Sequence, residues 1–220
     1  MSKPCITLEN TSLPIQNIFC IGRNYAKHIE ELNNETPTEP LVFLKPTSAL
    51  AQKGDTITLP AFSNSVHYEA ELVIYINQDA RNLNVEEATT VIGGYGVGLD
   101  LTARDLQDVI KKKGEPWTKC KGFPAAAIVS DFISTEKIQD PKDIQFTFTQ
   151  NGVLKQDGNS KMMLYPIAEI ISYLSTIYGL SKGDLIYTGT PEGVGQLAAG
   201  DKLNLTLEEF ISADFTINHI

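Results

Sequence analysis

The run from Val66 to Ile76, VHYEAELVIYI, sets two carboxylates two residues apart inside a stretch of β-branched, aromatic and aliphatic residues. Such a stretch favours an extended strand, in which successive side chains alternate between faces. Glu69 and Glu71 then share one face, while Tyr68, Ala70, Leu72, Ile74 and Ile76 form the other, the expected core face. Neighbouring carboxylates repel each other and resist losing their water. A hard divalent cation held between them relieves both problems. The plain alternative is a solvated strand face, where like-charge repulsion amounts to only about 1 kcal/mol.

Other strand signals dominate the chain. Ile18 to Ile21, Leu41 to Lys45 and Thr56 to Leu59 are short apolar or β-branched runs, and Ile144 to Gln150 alternates Ile144, Phe146 and Phe148 with polar residues. Asn151-Gly152 signals a tight hairpin into Val153-Leu154. Gly54-Asp55, Gly183-Asp184 and Gly200-Asp201 are turns ahead of three more runs. Helices are few. Asn84 to Glu87 fits a capping box, and Thr102 is expected to cap a helix over 103–113 with Leu106, Val109 and Ile110 inward and Gly114 as its stop. Pro166 opens a helix that buries Ile167, Ile170, Ile171, Leu174 and Ile177 and ends at Gly179. Many strands and few helices predict a β-rich α+β fold, a mixed β-roll with peripheral helices, over residues 1–220 as one domain.

Composition narrows the function classes. With 18 Lys and Arg against 27 Asp and Glu, the net charge of −9 argues against a nucleic-acid partner. No apolar stretch approaches the roughly 18 residues that span a bilayer, so no membrane partner is expected. The scattered Cys5, Cys20 and Cys120 form no metal-type pair, and the first residues lack a signal peptide's apolar segment. A reducing, cytoplasmic setting is the expectation.

A third carboxylate, Asp100, ends a glycine-rich apolar run at the junction of strand and helix, where functional groups collect. Glu69, Glu71 and Asp100 would form an all-oxygen site suited to Mg²⁺, Mn²⁺ or Ca²⁺ and ill suited to zinc. Taken alone, Asp100 reads more simply as a turn or cap acid. In Gly22-Arg23-Asn24-Tyr25-Ala26-Lys27-His28-Ile29-Glu30-Glu31, a helix capped by Asn24 brings His28 and Glu31 together at i and i+3. A carboxylate beside an imidazole prepares a general base, although an exposed helical pair is the bland reading. His67 is a candidate supporting residue for the glutamates, and His219 reads as frayed surface. Arg23, Lys45, Arg104 and Lys121 are cations able to meet an anionic substrate, with Gln107 on the Arg104 face. Thr188-Gly189-Thr190-Pro191 follows a strand and offers backbone N–H groups and hydroxyls to a carboxylate, or is an ordinary turn.

Six landmarks in this order resemble the fumarylacetoacetate hydrolase family, in particular its small members that act on acylpyruvates or oxaloacetate. They are Gly22-Arg23-Asn24-Tyr25, Phe43-Leu44-Lys45-Pro46, Tyr68-Glu69-Ala70-Glu71-Leu72, the run from Gly98 to Asp105, Lys119-Cys120-Lys121-Gly122-Phe123, and Thr188-Gly189-Thr190-Pro191. The resemblance implies Mg²⁺ or Mn²⁺ ligands at Glu69, Glu71 and Asp100, a His28–Glu31 dyad on a mobile lid, and an active-site lysine at Lys121. It also implies Arg104 and Gln107 alongside, Thr190 at the substrate carboxylate, and a homodimer. The one departure is that Leu207 runs directly into Glu208-Glu209-Phe210 where such chains have a glycine.

The implied substrate is a small 1,3-diketo or 2-oxo acid, cleaved beside its metal-chelating end to release a pyruvate enolate. Hydrolysis of acylpyruvates is the expected reaction, with Glu31-steered His28 activating water and Lys121 holding the enolate. The same site permits oxaloacetate decarboxylation or tautomerisation, or isomerisation of 2-hydroxyhepta-2,4-diene-1,7-dioate. The non-enzyme alternative is an oligomeric binding protein with a structural cation. That alternative requires His28 and Lys121 to lie far from the acids, or the ion to have no open position.

Overall fold

Turn chemistry divides the chain into strands much as the sequence predicts. In the computed structural model, which describes residues 4–219, Asn151 and Gly152 both take positive φ, 54° and 76°. That pair suits a two-residue hairpin, and it joins Gln145–Gln150 to Val153–Asn159. Gly54, Gly183 and Gly200, at φ of 93°, 99° and 91°, precede the strands Ile57–Thr58, Leu185–Tyr187 and Lys202–Leu207.

The strands build a mixed seven-stranded sheet in the order Leu41–Lys45, Ile18–Gly22, Leu185–Tyr187, Ala70–Ile76, Ile92–Asp100, Ala127–Val129, Leu50–Ala51. A five-stranded sheet runs Val153–Asn159, Gln145–Gln150, Lys202–Leu207, Ile211–Asn218, Ile57–Thr58. Gln145–Gln150 packs against Ala70–Ile76, and Lys202–Leu207 against Ile92–Asp100, so apolar faces of the two sheets share one core. The described helices are short, the longest being Ile167–Ile177, and none is long and apolar enough to cross a membrane. The architecture is a β-rich α+β fold.

Several local expectations need correction. The run from Tyr68 to Ile76 is two strands, Val66–Tyr68 and Ala70–Ile76, broken at Glu69. Every residue of Ala70–Ile76 is buried, so both its faces are core. The strand is central in its sheet, and Gln145–Gln150 of the second sheet packs against it. Thr102 does not cap a helix; it pairs with His67 in a strand, and Arg104–Lys113 starts after Ala103 without a side-chain cap. Along that helix Gln107 and Ile110 are buried whereas Val109 is 48% exposed, because the helix turns a polar edge towards the cleft described below. Ile177 is likewise exposed at the end of its helix. The capping box at Asn84 and Glu87 and the left-handed Gly114 stop are as expected. Glu208, at φ 46°, makes the tight turn that follows Leu207.

Candidate active site and metal centre

Strand register assembles the three acids. Ala70 pairs with Leu99 and Glu71 with Gly98, so Glu69 lies across from Asp100, whose N–H donates to the Glu69 carbonyl at 2.8 Å. Asp100 is the last residue of its strand. Gly98 leaves room opposite Glu71: a Cβ there would stand 2.5 Å from the Ile128 carbonyl oxygen and 2.8 Å from the Tyr187 ring. One oxygen from each of Glu69, Glu71 and Asp100 lies within 4.8 Å of the others. All three side chains are buried.

Three cations surround this cluster. Lys121 Nζ donates to Glu69 Oε2 at 2.7 Å and Asp100 Oδ2 at 2.6 Å, and lies 5.0 Å from the centre of the Phe43 ring. The Arg104 guanidinium pairs with the other Glu69 oxygen and donates to Gln107. Lys45 Nζ sits 2.6 Å from Asp100 Oδ1 and donates to the carbonyls of Leu101 and Lys121. Lys45 was expected at the substrate; it is buried behind the acids and does not line the cleft. Gly189 also departs from expectation. Its N–H donates to Glu71 Oε2 at 2.7 Å, so a carboxylate of the chain itself occupies that donor.

The dyad is formed. His28 Nδ1 is 3.3 Å from Glu31 Oε2, and Glu31 Oε1 accepts from the Gly193 N–H at 3.0 Å. Asn24 is not the helix cap that the sequence suggests; Tyr25 holds that position. The Asn24 side chain instead donates to the Tyr165 and Thr188 carbonyls and accepts from the Tyr165 N–H, tying the start of the segment to the core. Arg23, just before it, takes a left-handed φ of 58° and donates to the Glu35 carbonyl.

These groups open on one cleft, lined by Arg23, His28, Glu69, Glu71, Asp100, Arg104, Gln107, Lys121 and Thr190. Leu32, Asn34, Phe43, Lys111 and Trp117 also line it, and none of them was a candidate site residue from the sequence. Phe43 was findable, since it shares a strand face with Lys45. The Phe43 and Trp117 rings pack 5.5 Å apart, and Lys111 leaves the solvated lysine run to donate to Asn34. His67 lies outside the lining and bonds Ser65, and His219 is exposed.

Burial sets the electrostatics. It pushes Glu69 upward, but Lys121 and Arg104 more than offset this and hold its carboxyl well below the usual range. Glu71 goes the other way. Burial, then the charges of Asp100 and Glu69, push its carboxyl well above the usual range. Burial opposes the Lys121 charge, yet Asp100 and Glu69 hold its ammonium more firmly protonated than usual. Burial also lowers the His28 pKa, with Glu69 and Glu31 acting against it.

A divalent ion fits this donor set. Among the described residues no cation forms an ion pair with Glu71, whose deprotonation needs a further positive charge. Asp100 Oδ1 is buried and makes no hydrogen bond, its one close partner being the Lys45 ammonium at 2.6 Å. All three candidate ligands offer hard oxygen.

Residues 17–218 match the family described as fumarylacetoacetate (FAA) hydrolase, C-terminal. The chain is 41% identical over 202 residues to the mitochondrial oxaloacetate tautomerase FAHD1 of Bos taurus, covering 92% of this chain and 91% of that protein. It is 40% identical over 196 residues to the oxaloacetate tautomerase YcgM of Escherichia coli, covering 89% and 90%. Its fold matches the crystal structure of fumarylpyruvate hydrolase from Pseudomonas aeruginosa in complex with Mn²⁺ and pyruvate. That match has a TM-score of 0.92 at 30% identity, covering 100% of this chain and 98% of the other.

Proposed function

The chain belongs to the fumarylacetoacetate hydrolase family and is an enzyme, and from that premise we propose that it interconverts the keto and enol forms of oxaloacetate. One observation carries the reading: a carboxylate-steered imidazole, a buried ammonium and three clustered acids converge on one cleft. The name shared by the FAHD1 and YcgM relatives supports the choice of substrate.

Glu31 accepts from Nδ1–H, which leaves the Nε2 lone pair as the base. Its lowered pKa keeps the ring neutral at neutral pH, ready to take a proton from the carbon beside the keto group. Lys121, held as an ammonium, donates a hydrogen bond to the charge that develops on the enolate oxygen. Arg23, Arg104 and Thr190 bind and orient the carboxylates. Glu69, Glu71 and Asp100 would hold a divalent ion, Mg²⁺ or Mn²⁺, which when bound polarises the 2-oxo group and stabilises enolate charge.

Hydrolysis of an acylpyruvate is the second reading. The same dyad suits deprotonation of water, and the apolar wall of Leu32, Phe43 and Trp117 suits an acyl tail. The discriminating experiment follows the ultraviolet absorbance of enol-oxaloacetate and of acetylpyruvate side by side, with Mn²⁺ present, for the parent and His28→Ala. Loss of the oxaloacetate signal faster than in buffer, abolished by His28→Ala, supports the tautomerase. Cleavage of acetylpyruvate alone transfers the proposal to hydrolysis, and inertness towards both defeats it.

A further inference from the structure

Gln156 is 1% exposed, on the strand Val153–Asn159, and does not itself line the cleft. Its side chain nevertheless joins the two halves of the site. Oε1 accepts from the Ala70 N–H at 2.8 Å, the peptide between Glu69 and Glu71. Nε2 donates to Thr190 Oγ1 at 2.8 Å and to the Pro191 carbonyl at 2.9 Å, in the loop that leads to Gly193. The Gly193 N–H in turn holds Glu31, and Glu31 holds His28.

A β-bulge aims this residue. Phe148 pairs with Gln156 and Thr149 with Leu154, so Lys155 has no partner and the strand turns Gln156 inward after three exposed residues. The bulge also brings the Lys155 carbonyl against Gly193, which has φ 94° and where a Cβ would collide with it. The fold therefore fixes the Gly193 N–H from two sides.

We propose that Gln156 is a positioning residue: its amide locks the strand of the paired carboxylates to the loop at Thr190–Gly193 and so sets the Glu31 carboxylate that steers His28. This rests on the reading of His28 as the base. An unmoved frame matters because small misplacements of reacting groups reduce rates by about 100-fold.

The test uses the full chain with Gln156→Glu, which keeps the acceptor for Ala70 and loses the donors to the loop, and Gln156→Met, which loses both. We expect kcat to fall about 10- to 100-fold in Gln156→Glu, with faster hydrogen exchange at the Gly193 amide. In a Glu31→Gln background the further loss should be small, since both changes break one chain of contacts. Parent-like exchange at Gly193, or losses that multiply independently, overturn the proposal. If Gln156→Met does not fold, Gln156→Glu decides alone. Full turnover by His28→Ala would instead defeat the reading of the base, while the exchange result still judges the coupling of Gln156 to Gly193.

Discussion

The Lys45 ammonium meets the Asp100 carboxylate at 2.6 Å with both side chains shut away from water, 0% and 1% exposed. The same ammonium donates to the main chain at Leu101 and at Lys121. Lys45 thus fixes one acid and the backbone of Lys121 together. Removing it leaves a buried carboxylate short of a partner and two carbonyls short of donors. We expect Lys45→Met to lower unfolding free energy by about 3 kcal/mol, read from urea denaturation; a change below 1 kcal/mol contradicts this role.

Acid should silence the enzyme through His28. Burial depresses its pKa below the usual 6.5. The neutral ring is therefore the working form above that depressed value, and protonation on lowering the pH removes the base. Folding follows the same sign: the unfolded ring takes up its proton first, so this stability contribution is present above pH 6.5 and is lost as the pH falls. The acid limb of the pH–rate profile should lie below pH 6.5. Glu31 raises the His28 pKa, so Glu31→Gln should move that limb lower still while reducing kcat. A limb that shifts upward in Glu31→Gln would rule out the assignment.

Divalent ions should stabilise the fold through the acid cluster. Ligand at 100 times its Kd adds about 2.7 kcal/mol, which appears as a rise of several degrees in Tm with Mn²⁺ and its loss with a chelator. Glu71→Gln should abolish most of that rise. His28→Ala should retain it and lose turnover, because the imidazole is not among the clustered oxygens. Retained activity with a lost thermal shift in His28→Ala would reverse the two roles.

Gly98→Ala should be damaging despite its small size. The new methyl would meet the Ile128 carbonyl oxygen at 2.5 Å and the Tyr187 ring at 2.8 Å, in the strand that faces Glu71. Overpacking of this kind typically costs about 1–3 kcal/mol. Thermal denaturation and Mn²⁺ titration should both register it, and an unchanged Tm would show that the strand can shift.

The acids were legible because two of them sit at strand spacing and the third ends an apolar run, and register alone brings those positions together. His28 and Glu31 were legible from helical spacing. Other features depended on contacts distant in sequence. Glu69 separates Val66–Tyr68, which pairs with Thr102–Ala103 and Gly195–Gln196 in a three-stranded sheet, from Ala70–Ile76 of the seven-stranded sheet, and every residue of Ala70–Ile76 is buried. Asn24 looked like a cap because its partners, Tyr165 and Thr188, lie far along the chain. Lys45 and Gly189 were expected to face substrate, yet both serve the acids from behind. Gln156 sat unnoticed in a polar hairpin, since only the bulge at Lys155 directs it inward.

Arg23 holds a left-handed backbone at φ 58° while its side chain lines the cleft. Glycine would relax that turn by roughly 1 kcal/mol, so durability and ligand capture pull this position in opposite directions. Selecting variants for heat resistance alone would favour the smaller residue here, and would yield a sturdier protein whose cleft has lost one positive charge.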